Sequence, residues 1–365
     1  MGSIFSKSKP SHAGSSNQVI FDEYVNTDRF HDLAGKVIAI TGTSENSLGY
    51  FISEIAIRKN AKKLLLLNRN SSSADKGRKK LEHLAKQVNS PTNVQWVVCN
   101  LMDFGSVRKA AKDITEIATQ NDGLDVLVNN AGIMAHNDSR TAEGFDVQMH
   151  TNHLSHFLLT SLLYPSLETA ACTRGEARIV SHSSSARFFP SKDLEEKYFV
   201  KSDAGSLGGD SVLKDMFGFG GPATRYHMSK LSNSCFAIAL HHKLQARHSK
   251  VMSMAADPGV ASSGLATSAS SGDGALQGWL VNLLGSSAQS PADGCLPAAM
   301  CAFSPQALSG DLYKPRFGTS GAPLKSIEEA SDVDRKAHER LTLTKANQEN
   351  VWKWSEDALG IKFEV

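Results

Sequence analysis

The sequence has no run of uncharged apolar residues near the ~20 that span a bilayer. Its two greasiest stretches, Phe157 to Leu163 and Leu276 to Leu284, stop well short, and no membrane crossing is expected. Cysteine is scarce: Cys99, Cys172, Cys235, Cys295 and Cys301 are odd in number and form no C-x-x-C pair. With no secretory leader ahead of them, they point to a reducing, cytoplasmic setting and away from a disulfide scaffold. Excess charge is missing too. Lys+Arg 39 against Asp+Glu 37 leaves +2, so no strong field draws the chain to nucleic acid. What is there is ordinary for a globular chain: 365 residues, 41% hydrophobic and 21% charged, enough for a sizeable core.

Residues 1–34 lack periodic apolar positions, carry Pro10 and Gly14, and read as a loose tail. The opening Met1-Gly2-Ser3-Ile4-Phe5-Ser6 fits M-G-x-x-x-[ST], in which Gly2 accepts a myristoyl chain once Met1 is removed. One such chain gives only weak, reversible association with a membrane surface. From Gly35 onward, strand-like runs at 36–40, 63–67, 94–98, 124–128, 177–181 and 251–255 alternate with helical patterns. Continuously apolar strands separated by helices predict a single Rossmann-type α/β fold, a doubly wound parallel sheet with helices on both faces. One catalytic domain is expected over 35–325, with a helical extension at 326–365. Two stretches read as inserts: about 188–223, and 262–289 around an apolar Trp279 to Leu284.

Directly after the first run comes Thr41-Gly42-Thr43-Ser44-Glu45-Asn46-Ser47-Leu48-Gly49, opening a helix. Gly42 permits a tight turn and Gly49 close helix–strand packing, while Ser44, Ser47 and Leu48 line a helix N-terminus suited to a pyrophosphate. Ser47 stands where a third glycine is usual, so the loop must take a different path. At the end of the second run Asn68-Arg69 carries no acid for a ribose hydroxyl. Arg69 instead offers planar donors for a 2′-phosphate, favouring NADP(H) and leaving NAD(H) as the alternative. After the third run, Asn100 and Leu101 sit where an adenine would lie, and Asp103 can cap the next helix. After the fourth, Asn129-Asn130-Ala131-Gly132 lets the backbone approach a nucleotide and lets amides brace neighbouring strands.

The chemistry points to Tyr226-His227-Met228-Ser229-Lys230. Four residues apart on a helix, the Lys230 ammonium and the Tyr226 phenol share a face, and the cation is expected to lower the phenol's pKa toward the working pH. Ser183, Ser184 and Ser185 follow the fifth run, at the end of the sheet where ligands bind, and Ser184 is placed to hold a reacting oxygen. Asn152 can tie a water to Lys230. Pro258, Gly259 and Val260 follow the sixth run and can turn the backbone against a nicotinamide. His153 and His156 lack a third ligand, so no metal is expected.

Taken in order over about 35–325, these motifs resemble the short-chain dehydrogenase/reductase family. The resemblance implies Tyr226 as proton donor, Lys230 as its assistant, Ser184 as the oxygen holder and Asn152 as the fourth member. Asn152 to Phe157, Tyr226 to Leu231 and Val351 to Glu356 look like the branch of retinol dehydrogenases and protochlorophyllide reductases, although Ser232 stands where the latter carry a cysteine. The interval from Ser184 to Tyr226, 226 − 184 = 42, exceeds the family's usual dozen or so. The expected activity is hydride exchange between NADP(H) and the carbonyl or alcohol of an apolar small molecule, the apolar preference resting on Phe188, Phe189, Phe217, Phe219 and the Trp279 to Leu284 stretch. Reduction of a carbon–carbon double bond and nucleotide sensing on a retired enzyme fold are the competing readings, and a homo-oligomer is left open.

Overall fold

The computed structural model describes residues 20–134, 136–207, 221–261, 289–328 and 337–365. Eight strands form one sheet in the order β3-β2-β1-β4-β5-β6-β7-β8. They are β1 Val37–Thr41, β2 Lys63–Asn68, β3 Asn93–Val98, β4 Val126–Asn129, β5 Ala177–His182, β6 Val251–Ala256, β7 Leu312–Pro315 and β8 Pro323–Ile327. All neighbours pair in parallel except β7 with β8, which form an antiparallel edge. The six strands anticipated from the sequence are present. The last two were not expected, because residues 312–327 carry polar and turn-forming residues instead of a continuous apolar run.

Side-chain alternation along each strand divides the core in two. Val37 and Ala39 of β1 face one layer, in which helices α4 (Phe104–Thr119), α5 (Ser155–Arg174), α6 (Gly221–Ala246) and α8 (Lys345–Leu359) pack. Ile38 and Ile40 face the other, built from α1 (Phe21–Val25), α2 (Leu48–Arg58), α3 (Ser72–Gln87) and α7 (Leu296–Phe303). Chain order reverses between β1 and β4, and the crevice outside the carboxyl ends of those strands is where open α/β sheets bind ligands.

Two boundaries need correction. Residues 20–34 are not all tail: Phe21, Tyr24, Val25, Phe30 and Leu33 are buried against the α2–α7 face, and Asp293 accepts from the Ile20 and Phe21 amides. The C-terminal helices are no appendage either, because Leu341, Val351, Trp352 and Phe363 belong to the main core. Gly2, Phe217, Phe219 and Trp279 to Leu284 lie outside the described residues. Among those that are described, no helix is long and apolar enough to cross a membrane.

Candidate active site

The loop after β1 follows a path that explains its missing glycine. Gly42 has φ +72 and Asn46 φ +60, so an asparagine takes the left-handed position, and Ser47 is released to cap α2. The Ser47 hydroxyl accepts from the Tyr50 amide (3.1 Å) and donates to the Gly42 carbonyl (2.9 Å), cinching the loop. A side chain on Gly49 would lie 2.5 Å from the Gly42 oxygen and 2.7 Å from Asn130 Nδ2, so only glycine fits there. On the α3 side, the Glu45 amide donates to the Ser73 carbonyl, and the Ser44 carbonyl accepts from the Ser47 amide. Leu48 opens α2 at the same place.

Asn68 and Arg69 separate in role. Asn68 is buried and joined twice to Thr43, accepting from its amide (2.9 Å) and donating to its hydroxyl (2.6 Å). Arg69 is exposed at the end of β2 and makes no ion pair among the described residues, leaving its fork free for an anion. Asn100 turns inward: its Oδ1 accepts from the Met102 amide (3.2 Å), which occupies one of the lone pairs an adenine amino group would need. The Leu101 carbonyl accepts from Ser155 Oγ (2.7 Å), and Asp103 caps α4.

Asn129 to Gly132 stitch the switch point. Asn129 Nδ2 donates to Thr160 Oγ1 (2.8 Å), while the Asn130 side chain donates to the Thr41 and Gly42 carbonyls and accepts from His182 Nδ1 (2.8 Å). Thr41 Oγ1 accepts the amides of both Asn130 and Ala131, so its own proton goes to His156 Nε2 at 3.0 Å. His156 therefore carries its proton on Nδ1 and donates it to the Asn152 carbonyl (3.0 Å), an assignment made from the network. Burial holds His156 near pKa 4 and His182 near 3, so both are neutral.

Asn152 sits in a π-helical turn, His150–Leu154, at the head of α5. Its amide spans Ile133, accepting from the amide (2.8 Å) and donating to the carbonyl (2.9 Å), and also donates to Ser229 Oγ (2.9 Å). The side chain expected to hold a water is thus occupied by protein. Beside it, a side chain on Gly132 would come within 3.3 Å of both Asn152 Oδ1 and Lys230 Nζ, so Gly132 keeps open a cradle against the lysine. Glycine at 49 and the open place at 132 together fit a dinucleotide.

Tyr226 and Lys230 share one face of α6, with Lys230 Nζ 5.8 Å from the Tyr226 ring centre. The Ser184 side chain lies close enough to the Tyr226 phenol to favour its ionised form. Ser183 instead donates to the Lys230 carbonyl (2.7 Å), which leaves Ser184 as the serine whose hydroxyl is felt at the tyrosine. The long interval between them includes 3-10 turns at Ser185–Phe188 and Glu196–Tyr198, and residues 208–220 lie outside the described ones.

The expected acidification of the phenol is not what the chain alone produces. Burial pushes Tyr226 up to about 12, partly offset by the nearby Ser184 hydroxyl, with Asp257 pushing it further up. Burial also brings Lys230 down to about 8, against the raising pull of Asp257. Desolvation by burial is the largest influence on both groups.

Two parts of the site escaped sequence reasoning. The first supports the lysine: Lys230 Nζ donates to the His182 carbonyl (3.1 Å), which also accepts from Asn233 Nδ2 (3.0 Å). Asn233 Oδ1 pairs with His153 Nδ1 (3.2 Å), and His153 Nε2 with Ser355 Oγ of α8 (2.8 Å). The second is a buried charge cluster of Arg187, Asp257 and Glu339 beside Ser184. Pattern gave no hint of Glu339, which lies 152 positions from Arg187. The Asp257 carboxylate does announce itself beside Pro258 and Gly259: it accepts the Gly259 amide (2.9 Å) and holds that residue at φ +66. Pro258 and Val260 are tied outward, to Gln289 and Thr319.

Comparison with known proteins agrees with this arrangement. The family model for short chain dehydrogenase matches residues 36–195. A short chain dehydrogenase/reductase of Colletotrichum higginsianum is 31% identical over 237 residues, covering 62% of this chain and 55% of the relative. Mouse polyprenol dehydrogenase is 32% identical over 161 residues, covering 44% of this chain and 42% of its own. The chain thus spans about half the length of the curated relatives it matches. Among solved structures, an uncharacterized protein from Mycobacterium paratuberculosis superposes with TM-score 0.59 at 26% identity, covering 92% of this chain and 97% of that one. An NADPH-bound carbonyl reductase from chicken fatty liver shares the fold at TM-score 0.53 and 18% identity, covering 80% of this chain and 100% of its own. The fold is the doubly wound α/β arrangement of dinucleotide-binding proteins. Over residues 36–195 the chain is similar to the short-chain dehydrogenase/reductase family.

Proposed function

We propose that the protein is an NADP(H)-dependent oxidoreductase that interconverts a carbonyl and an alcohol on a largely apolar small molecule. The observation that carries this reading is the convergence of Tyr226, Ser184, Lys230 and Asn152 on the crevice at the carboxyl end of the sheet. A bound nicotinamide nucleotide supplies the hydride. Tyr226 gives its proton to the substrate oxygen in reduction, Ser184 holds that oxygen by hydrogen bonding, and Lys230 electrostatically assists the phenol. Gly42, Ser44, Ser47, Leu48 and Gly49 would hold the pyrophosphate, and Arg69 the 2′-phosphate.

The apolar preference is supported by Phe189, which is 59% exposed and stacks on His227 beside the tyrosine (4.9 Å). Phe188 has another job, lying under the Arg187 guanidinium at 4.0 Å. The printed name of the mouse relative, a polyprenol dehydrogenase, agrees with a lipophilic substrate. Myristoylation of Gly2 would bring the enzyme to the surface where such molecules reside, and intact-mass measurement after expression with an acyltransferase tests it. The proposed setting is cytoplasmic, at most peripheral on a membrane, with no nucleic-acid partner.

The deciding experiment follows reduced-nicotinamide absorbance with a panel of lipophilic aldehydes, ketones and alcohols and both coenzymes. Carbonyl-dependent oxidation of NADPH is expected. Binding of NADPH without turnover of any compound would favour the sensing reading. Arg69→Asp is expected to shift the NADPH/NADH preference by about tenfold or more toward NADH, since one charged bidentate contact accounts for roughly 1.5–3 kcal/mol.

A further inference from the structure

Arg187 lies on the 3-10 turn Ser185–Phe188 that begins beside Ser184, and its side chain is fully buried. Its Nε and Nη2 donate to the two carboxylate oxygens of Glu339 (3.0 and 2.6 Å). Its Nη1 donates both to Asp257 Oδ2 (2.5 Å) and to the Ser184 carbonyl (2.8 Å). The guanidinium thus joins three segments: the turn carrying the oxygen-holding serine, the Asp257–Gly259 turn after β6, and the chain entering the C-terminal helices. Glu339 is steadied in turn by Ser326 Oγ of β8 (2.6 Å).

One cation and two anions have been taken out of water here. Such clusters are poor sources of stability, because desolvation consumes most of the attraction; a well-packed apolar core would serve stability as well. A planar fork does offer fixed geometry. The two fixed segments lie near Tyr226: the Ser184 hydroxyl is close enough to favour its ionised form, and the charge of Asp257 is felt at both Tyr226 and Lys230.

Building on the activity proposed above, we propose that Arg187 and Glu339 are positioning residues for catalysis, through which the C-terminal segment sets Ser184 and the Asp257–Gly259 turn against Tyr226. The segment beyond residue 337 is then a working part of the active site.

The test compares full-length wild type with Glu339→Gln and Glu339→Asp by steady-state kinetics and by the fluorescence of bound NADPH. That emission reports how firmly the nicotinamide is held, independently of turnover. Glu339→Gln is expected to lower kcat by about tenfold to a hundredfold, the scale of small misplacements at a reacting centre, with the carbonyl KM changed by less than about threefold. Its NADPH affinity should stay within about threefold, because the phosphates are held elsewhere, while the emission enhancement is lost. Glu339→Asp should recover part of both. Should Glu339→Gln fail to fold, Ser326→Ala leaves every charge in place and is expected to show the same effects more weakly. Variants that melt earlier yet keep wild-type kcat and emission would overturn the proposal and leave the cluster a structural one. A wild type that binds NADPH but reduces no carbonyl overturns the activity reading and the catalytic role built on it, whereas turnover by wild type with unchanged kcat and emission in the variants overturns this proposal alone.

Discussion

At Tyr226, burial and chemistry pull in opposite directions. A phenol held near pKa 12 keeps its proton at neutral pH, which suits a donor in carbonyl reduction. Tyr226→Phe is expected to cut kcat by at least about a hundredfold, within the ordinary range for a lost acid, with NADPH affinity within about threefold by fluorescence titration. Lys230 supplies a second prediction. Its folded pKa near 8 lies below the ordinary 10.5, so folding disfavours the charged form. The sign runs opposite to that of a stabilised cation: below about pH 8 the group opposes folding by about 3 kcal/mol, and this penalty fades as pH rises toward 10.5. Lys230→Met is therefore expected to lose activity yet melt no lower than wild type at pH 7, and their difference in melting temperature should shrink at alkaline pH. Carbonyl reduction by wild type should fall as pH rises through about 8, as Lys230 loses its proton.

At the scale of elements, the loop from β1 into α2 shows what a sequence pattern can and cannot convey. Gly42 and Gly49 were legible because the backbone there approaches other backbone, and only a missing Cβ permits it. The left-handed Asn46 was not, because asparagine at φ +60 leaves no spacing signature. Gly49→Ala would push a methyl against the Gly42 carbonyl and Asn130, opening the loop at the switch point. It is expected to weaken NADPH binding by about tenfold or more while circular dichroism stays unchanged. The same division holds around α6: a helical spacing revealed Tyr226 and Lys230, but the supports on Lys230 come from β5, α5 and α8, brought together only by the fold. Local geometry is written in local sequence, and the pKa values of buried groups are not, which is why the phenol's environment was misjudged.

For the whole molecule, the doubly wound sheet was readable from continuous apolar strands, whereas the antiparallel edge and the C-terminal packing depended on contacts between distant segments. Trp352 shows the weight of the latter. It is nearly buried among Phe157 (5.3 Å), Phe236 (5.9 Å) and Phe363 (4.9 Å). Trp352→Ala leaves a cavity in the layer that carries α5 and α6, and a loss of about 3–5 kcal/mol in chemical denaturation is expected.

The chain leaves the reacting centre at Ser184 and returns to it at Tyr226, so everything strung between those points is anchored at both ends without carrying the proton chemistry. Lengthening such an excursion is cheap, since doubling it adds only about 0.6 kcal/mol of closure entropy. A scaffold of this kind can exchange what it recognises while conserving how it reacts, and grafting a sister enzyme's excursion between Phe188 and Tyr226, with Arg187 kept in place, is a direct route to altered substrate range.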